Sequence, residues 1–360
     1  MHLLQEIHTL KKIPLHDRHV SLNAKMVSFG GWSMPVYYRG ILEEHRWVRE
    51  SCGIFDVSHL GEFHVHGRGA FAFLQARVTN DLRKLSNGKI LYALLCDEKG
   101  FALDDLLIYQ EALDDYYVIV NAANIERDFE AFLKYLPDSV KLENRSDVTA
   151  CVAVQGPRSE EILKRVFGFD LNSLGYYCFK LEKTRWGPVW ISRSGYTGED
   201  GFEIFSSNDG ILPVWDALVE TGESGGLVPA GLGARNTLRL EAGNALYGND
   251  LDETTTPLEA GLHWAVSFEK GGFVGRDGLM KQKRAGSRDA SLVSKCSTNP
   301  SRANTTRFSG QAKKSARSRA VRWGPRWVSA SDSGMSRRRT RIPARHLRLK
   351  CTAGKLLPKR

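Results

Sequence analysis

The sequence has no long apolar run, no paired cysteines and no apolar leader, and each absence excludes a class of protein. No stretch approaches the about eighteen consecutive apolar residues of a transmembrane helix. Glu6 and two lysines lie where a secretory signal would need an apolar core, so we predict a cytoplasmic protein. The cysteines are scattered without a Cys-x-x-Cys pair, which indicates reduced thiols and neither a disulfide framework nor a zinc site.

Acidic residues are almost absent from the C-terminal segment. Residues 287–360 contain 20 Lys and Arg but only 2 Asp and Glu, a net charge of +18. Residues 1–286 contain 31 Lys and Arg and 39 Asp and Glu, a net charge of −8. The basic tail is rich in Ser and Arg and poor in large apolar side chains, so it has little apolar surface to offset the chain entropy of ordering. We expect the tail to be disordered.

The body has the apolar periodicities of a mixed α and β protein. Polar and apolar residues alternate over Glu62–His66, as in a half-buried strand. Two strand patterns, Ile90–Leu95 and Leu103–Tyr109, flank the turn residues Asp97–Gly100 and predict a hairpin. A helix is predicted at Ala234–Ala242. Because strands and helices alternate without a regular βαβ period, we predict the α+β class.

The Asp104-Asp105 pair is the first candidate for chemistry. Neighbouring residues of a strand point to opposite faces, so only one of the two carboxylates faces a given pocket. Asp105 shares its predicted face with Leu107 and Tyr109. A carboxylate in an apolar strand is costly to bury without a partner. The alternative is an Asp at the end of a turn, hydrogen-bonded to backbone amides.

A second carboxylate and two arginines form further candidates. Glu203 lies in the strand pattern Phe202–Phe205, where we expect it on the face opposite the aromatic residues. A carboxylate there can accept two parallel N–H bonds from a flat heterocycle, and the alternative is a solvated strand face. Arg235 and Arg239 are four residues apart near a helix start, so a shared face would suit an anion or a carbonyl. A salt bridge to Glu241 or Glu203 is the alternative.

Two histidines are candidates for metal binding. His64 and His66 share a strand face, which is one way to present two imidazole ligands. No acidic or Cys ligand is placed in the sequence to complete the set. We therefore predict no metal site.

Eight segments, read in order, resemble the T-protein of the glycine cleavage system. They are Phe29–Tyr38, Ile54–Glu62, Leu103–Leu106, Val120–Asn124, Gln155–Pro157, Ser194–Glu203, Pro229–Arg235 and Asp252–Gly261. The similarity extends from about His16 to Gly286 and is specific, because all eight motifs occur in one order.

The resemblance implies an aminomethyltransferase. Such an enzyme takes the aminomethyl group from the lipoyl arm of H-protein and transfers its methylene carbon to tetrahydrofolate. The products are ammonia, 5,10-methylenetetrahydrofolate and reduced H-protein. The expected partners are therefore lipoylated H-protein and tetrahydrofolate, with no metal, no nucleotide, no membrane and no specific nucleic acid.

The resemblance also assigns site residues. It implies that Asp105 is the catalytic carboxylate, ionised near the reacting nitrogens, where it would orient the nucleophile and stabilise a cationic iminium-like species. It places the pterin-binding carboxylate at Glu203 and the folate-site arginine at Arg235. The remaining folate-binding positions that it implies are Tyr92, Tyr109, Tyr196 and Asn121.

The fold implied by the resemblance is a three-domain cloverleaf with folate in its central hole. The first domain would comprise 1–58 plus 150–250, and the second 59–149 plus 251–286. The tail, 287–360, has nearly the length of the family's C-terminal β-domain but none of its motifs. An out-of-frame reading of the coding region is our hypothesis for this difference.

Two residues between the last two segments depart from the usual family pattern. Asn236 follows Arg235 where an Asp is usual, and Asn244 stands where an apolar or aromatic residue is commoner. The first removes a charge close to the predicted site, and the second suggests weaker packing beside it.

Three other functions compete with this interpretation. A related folate enzyme of sarcosine or dimethylglycine oxidation is the nearest, although such enzymes usually carry a flavin domain for which the chain has no room. An inactive folate-binding chain, disabled by its altered C-terminus, is the second. The third is non-specific binding of nucleic acid by the basic tail, which would depend strongly on salt.

Overall fold

The structure, a computed structural model, describes residues 10–286. The described part combines helices with three β-sheets, so the α+β prediction is confirmed. The predicted disorder of the tail, 287–360, lies outside the described residues.

The elements alternate along the chain. The described α-helices are α1 (His16–Ser21), α2 (Ile41–Glu50), α3 (Ala70–Arg77), α4 (Ile125–Leu133), α5 (Ser159–Phe167), α6 (Asn208–Glu223), α7 (Leu232–Ala242) and α8 (Arg276–Ala285). The described strands are β1 (Lys11–Lys12), β2 (Lys25–Phe29), β3 (Trp32–Tyr37), β4 (Cys52–Asp56), β5 (Gly61–His66), β6 (Lys89–Cys96), β7 (Ala102–Ala112), β8 (Asp115–Val120), β9 (Lys141–Asn144), β10 (Thr149–Gln155), β11 (Phe179–Thr184), β12 (Gly187–Ser192), β13 (Gly201–Ser207) and β14 (Leu227–Pro229). Short 3-10 helices span Leu82–Lys84, Ala122–Asn124, His263–Ala265 and Phe268–Lys270. Over residues 10–286, no helix has the length and apolar character needed to cross a bilayer.

The largest sheet is organised around the buried strand β10. Its order is β11-β12-β13-β10-β4-β14, with β14 parallel to β4 and the other neighbours antiparallel. On one face, Val152 and Val154 of β10 belong to a core with Ile162 of α5 and Trp215 of α6. Both helices are amphipathic in sequence, and burying their apolar sides against the sheet stabilises this half of the body.

The second sheet contains the predicted hairpin. Its order is β6-β7-β8-β5-β9, and every neighbouring pair is antiparallel. Strands β6 and β7 meet at the turn, where Asp97 Oδ1 accepts hydrogen bonds from the backbone N–H of Lys99 at 2.9 Å and of Phe101 at 2.8 Å. Gly100 has a φ of +94°, a conformation that favours glycine. The hairpin is confirmed, with strands slightly longer than predicted. A small sheet, β1-β3-β2, completes the described part.

The two large sheets contact each other through a shared apolar cluster. Tyr109 of β7 and Ile119 of β8 pack in this cluster with Phe205 of β13 and with Leu238 of α7. Tyr109 is only 1% exposed. The face of β7 that carries Tyr109 is thus turned toward the larger sheet, and Asp105, four residues before Tyr109, lies on that face.

A buried glutamate fixes the start of α7. Glu44 Oε2 accepts a hydrogen bond of 2.9 Å from the backbone N–H of Gly231, while Oε1 accepts from the backbone N–H of Tyr38 at 2.6 Å and of Arg39 at 2.8 Å. A Cβ on Gly231 would lie 2.4 Å from the carbonyl oxygen of Val36. This close approach explains the glycine before α7, and it sets the position of the helix that carries Arg235.

The two large sheets draw on different parts of the chain. The six-stranded sheet takes its strands from 52–56 and from 149–229, and the five-stranded sheet from 61–144. The two discontinuous domains given above stay a prediction.

Candidate active site

Asp105 is held by two side chains from neighbouring strands and turns. The Tyr92 hydroxyl of β6 donates to Asp105 Oδ2 at 3.0 Å, and Asn121 Nδ2, which follows β8, donates to Oδ1 at 3.0 Å. Leu107 and Tyr109 share its face, as predicted, whereas Leu106 and Ile108 pack on the other side. These two side-chain donors distinguish Asp105 from Asp104, which accepts a backbone N–H as the alternative interpretation required.

Asp104 is buried and shares the Asn121 side chain with Asp105. Its Oδ2 accepts the backbone N–H of Asn121 at 3.0 Å, and its Oδ1 accepts Nδ2 of Asn121 at 2.8 Å and of Asn124 at 2.7 Å. Asp128 of α4 is also buried, and burial together with the charge of Asp104 raises the pKa of Asp128 far above its usual range. Asp104 therefore has a structural role, and through Asn121 it also orients Asp105.

Asp105 titrates near neutral pH. Burial, followed by the negative charge of Asp104, raises the pKa of Asp105 to about 7, although the hydrogen bonds from Tyr92 and Asn121 lower it. The resemblance implies an ionised carboxylate at this position. In the protein without substrate, about half of the molecules would carry the proton at pH 7, so this group can both accept and release one.

Glu203 ends a chain of hydroxyl groups. The Ser194 hydroxyl donates to Glu203 Oε2, the Ser192 and Ser194 hydroxyl oxygens are 2.8 Å apart, and the Tyr109 hydroxyl is 3.4 Å from Ser192 Oγ. Glu203 is 6% exposed, which rules out the solvated strand face. Its predicted orientation was half wrong. Glu203 lies opposite Phe202 but shares the β13 face that carries Phe205, because residues two apart point the same way.

Arg235 is a half-buried cation with spare hydrogen-bonding capacity. Among residues 10–286, its Nη1 atom has no hydrogen-bond partner. Its guanidinium lies 4.6 Å from the ring centroid of Tyr196, a cation–π contact. Burial lowers the pKa of Arg235, while the charge of Glu203 opposes that effect, so the two ions lie within electrostatic reach of each other.

Arg239 does not join Arg235 in this site. Its guanidinium pairs with Asp250, donates from Nε to Asn236 Oδ1 at 2.9 Å and donates to the carbonyl oxygen of Asn244 at 3.1 Å. For Arg239, which is 3% exposed, neither the shared ligand-binding face nor the alternative salt bridge to Glu241 or Glu203 is found, because its ion-pair partner is Asp250. The two unusual residues Asn236 and Asn244 thus both contact Arg239 and hold it in its structural position.

Aromatic rings line the predicted site. The Tyr196 hydroxyl donates to the carbonyl oxygen of Ala245, which fixes that ring. Tyr92 stacks on Trp264 with a centroid distance of 5.0 Å and an interplanar angle of 26°. Trp264 is 49% exposed, which is unusual for so large an apolar ring. Rings placed in this way suit stacking on a flat heterocycle.

Sequence reasoning missed four residues that belong to this arrangement. They are Ser192, Ser194, Trp264 and His59. Burial, together with the positive charge of Arg235, lowers the pKa of His59 to about 4, so this imidazole is neutral at pH 7. Ser194 begins the motif that ends at Glu203, so its place in that motif could have indicated a role in the site. No local sequence pattern indicates Trp264.

Comparisons with known proteins agree with the motifs. The family model described as "GCVT N-terminal domain" matches residues 15–270. The aminomethyltransferase of Halothermothrix orenii is 49% identical over 277 residues, covering 77% of this chain and 78% of that protein. The chain belongs to the aminomethyltransferase family.

Other aminomethyltransferases agree in sequence and in fold. The enzyme of Thermoanaerobacter sp. strain X514 is 48% identical over 283 residues and covers 77% of this chain and 76% of its own. The crystal structure of glycine cleavage system aminomethyltransferase T from Bartonella henselae superposes with a TM-score of 0.72 at 34% identity, over 77% of this chain and 76% of that one. The predicted family and fold are confirmed for the body of the protein, and the family model stops before the basic tail.

Proposed function

We propose that this aminomethyltransferase acts on the aminomethyl-lipoyl arm of H-protein and on tetrahydrofolate, and that Asp105 is its catalytic carboxylate. The match to the family over residues 15–270 is the observation that carries the proposal. In the reaction, the methylene carbon loses its bonds to nitrogen and sulfur and gains bonds to two folate nitrogens. The two folate N–H protons end on ammonia and on the lipoyl thiol, so the step is redox-neutral.

Asp105 holds or moves one of these protons. With a pKa of about 7, it can take a proton from a folate nitrogen or pass one to the departing amine. When it is ionised, its negative charge stabilises the iminium-like cation that forms as ammonia leaves. Tyr92 and Asn121 hold both carboxylate oxygens, which fixes its direction before substrate arrives.

Glu203 and Arg235 recognise the folate. A pterin edge offers parallel N–H donors, and the carboxylate of Glu203, oriented by Ser194, is a matching acceptor. The Nη1 atom of Arg235, unpaired within residues 10–286, supplies a donor for a carbonyl or carboxylate oxygen. The rings of Tyr92 and Tyr196 pack against the flat part of the same substrate.

The decisive experiment is tetrahydrofolate-dependent release of ammonia from aminomethyl-loaded H-protein. We expect turnover by the full chain and a loss of about a hundredfold or more in Asp105→Asn, which keeps the shape but removes the acid–base group. Asp138→Asn is the matched control, because Asp138 is exposed and lies outside the site. Equal turnover by Asp105→Asn and wild type would refute the catalytic assignment.

A binding assay separates the remaining outcomes. We expect Glu203→Gln to weaken tetrahydrofolate binding, whereas the exposed Glu130→Gln should leave it unchanged. Folate binding without ammonia release would show an intact pocket in a chain inactivated by its tail. The absence of both would contradict the proposed function.

A further inference from the structure

The second sheet brings three metal-ligating side chains together outside the site described above. His64 and His66 lie two residues apart on the same face of β5. Glu143 of the edge strand β9 lies directly opposite His64 in the strand register. One ligand atom from each of the three lies within 4.8 Å of the other two. No acidic ligand is close to the two histidines in sequence, and the pairing of β9 with β5 brings Glu143 to them.

Stacking and hydrogen bonds hold the two imidazoles in place. The His64 ring stacks on Tyr117 of β8 at 4.4 Å and on His66 at 4.3 Å. His66 Nε2 lies 3.5 Å from Glu143 Oε1, and His64 Nε2 lies 2.8 Å from Asp115 Oδ1. Because the rings are already oriented, little side-chain entropy remains to be lost when an ion binds.

The charges around the cluster favour a cation. The carboxylates near it are Glu111, Asp115 and Glu143. The opposing charges are those of Arg145, whose Nη2 lies 2.6 Å from Glu143 Oε2, and of Lys141, which lies opposite His66 in the strand register. Three carboxylates against two basic side chains leave an excess of negative charge beside the imidazoles.

We propose that His64, His66 and Glu143 bind a divalent transition metal ion of the zinc type. Two imidazoles and one carboxylate match the preferences of Zn²⁺, with the fourth position left to water. The ion would link β9, the edge of the sheet, to its only sheet neighbour among the described strands, β5. Its function is structural, and it is independent of the proposed transfer reaction.

The test uses the full chain without a polyhistidine tag. Isothermal titration with Zn²⁺ at pH 7.5 should show one site, and His66→Gln and Glu143→Gln should each weaken it by about tenfold or more, since even outer-shell partners of a metal contribute about that much. Exposed matched controls are His263→Gln and Glu130→Gln. Arg145→Gln should tighten binding, because it frees the Glu143 carboxylate from its ion pair.

Two further measurements make the test independent of any variant that folds poorly. Co²⁺ bound to the wild type should give the visible absorption bands of a low-coordinate site with nitrogen and oxygen ligands. Zn²⁺ should raise the thermal unfolding temperature of the wild type and of both control variants, but not that of Glu143→Gln. The proposal would be overturned if wild type, His66→Gln and Glu143→Gln bound Zn²⁺ with equal affinity. It would also be overturned if Co²⁺ gave the octahedral spectrum of the hydrated ion.

Discussion

Replacement of Tyr92 by Phe tests the origin of the Asp105 pKa directly. The Tyr92 hydroxyl donates to Asp105 Oδ2 at 3.0 Å, and this hydrogen bond lowers the pKa of Asp105, which is about 7 in the intact protein. Its removal stabilises the protonated form relative to the ionised one. We therefore expect Tyr92→Phe to raise the pKa of Asp105 and to move the acid limb of the activity profile to higher pH.

The size of the shift follows from the strength of the bond. A hydrogen bond to a charged group contributes about 1.5–3 kcal/mol. One pKa unit corresponds to about 1.36 kcal/mol, so the limiting shift is about one to two units. Since Asn121 still donates to the other oxygen, we expect the lower value. A pKa of about 8 would leave about a tenth of the sites ionised at pH 7, so activity should fall about fivefold there and recover above pH 9.

The assay is the pH dependence of kcat/KM for tetrahydrofolate-dependent ammonia release. Tyr135→Phe is the matched control, because the Tyr135 hydroxyl donates to Glu98, an exposed carboxylate away from the site. The reasoning would be refuted if the acid limb of the Tyr92→Phe profile stayed at the same pH as in wild type. It would also be refuted if kcat/KM fell by the same factor at every pH, because an effect on the pKa of Asp105 must vanish once Asp105 is fully ionised.

Three other changes have expected outcomes that the structure determines. Asp105→Asn should stabilise the protein at pH 8, as measured in calorimetric scans. Because the pKa of Asp105 is raised in the folded protein, ionised Asp105 costs folding free energy at any pH above its unfolded pKa near 4. The stability gain of the variant should therefore shrink as the pH falls from 7 to 4. Ser194→Ala should weaken tetrahydrofolate binding about tenfold in equilibrium titrations, because Glu203 loses the hydroxyl that orients it. Gly231→Ala should destabilise the fold by about 2 kcal/mol in urea unfolding, because the new methyl group would collide with the Val36 carbonyl.

Each change has a control at a site with no comparable contact. Asp138→Asn and Ser86→Ala alter exposed residues, and Gly272→Ala adds a Cβ where no atom lies within 4 Å. A stability gain in Asp105→Asn that does not depend on pH would contradict the linkage argument. Unchanged folate affinity in Ser194→Ala, or an unchanged urea midpoint in Gly231→Ala, would contradict the other two.

Local patterns in the sequence were sufficient to predict individual strands and helices and the direction of several side chains. The alternation around Asp104 and Asp105 correctly placed Asp105 on the face of Tyr109, because side-chain direction in a strand depends only on its period of two. The turn at Asp97–Gly100 could likewise be predicted from the sequence. Asp accepts hydrogen bonds from nearby backbone N–H groups, and glycine adopts positive φ, so both residues favour a turn. The order of the motifs identified the family.

Only the tertiary structure decided what each of these side chains meets. The burial of Glu203 depends on its neighbours β10 and β12, and the partner of Arg239 is Asp250, a residue that no local pattern indicated. Glu143 reaches His64 and His66 because β9 pairs with β5. Periodicity is a local property of the chain, whereas burial, charge and ligand geometry arise from contacts between segments far apart in sequence, and these contacts form only when the sheets and helices pack.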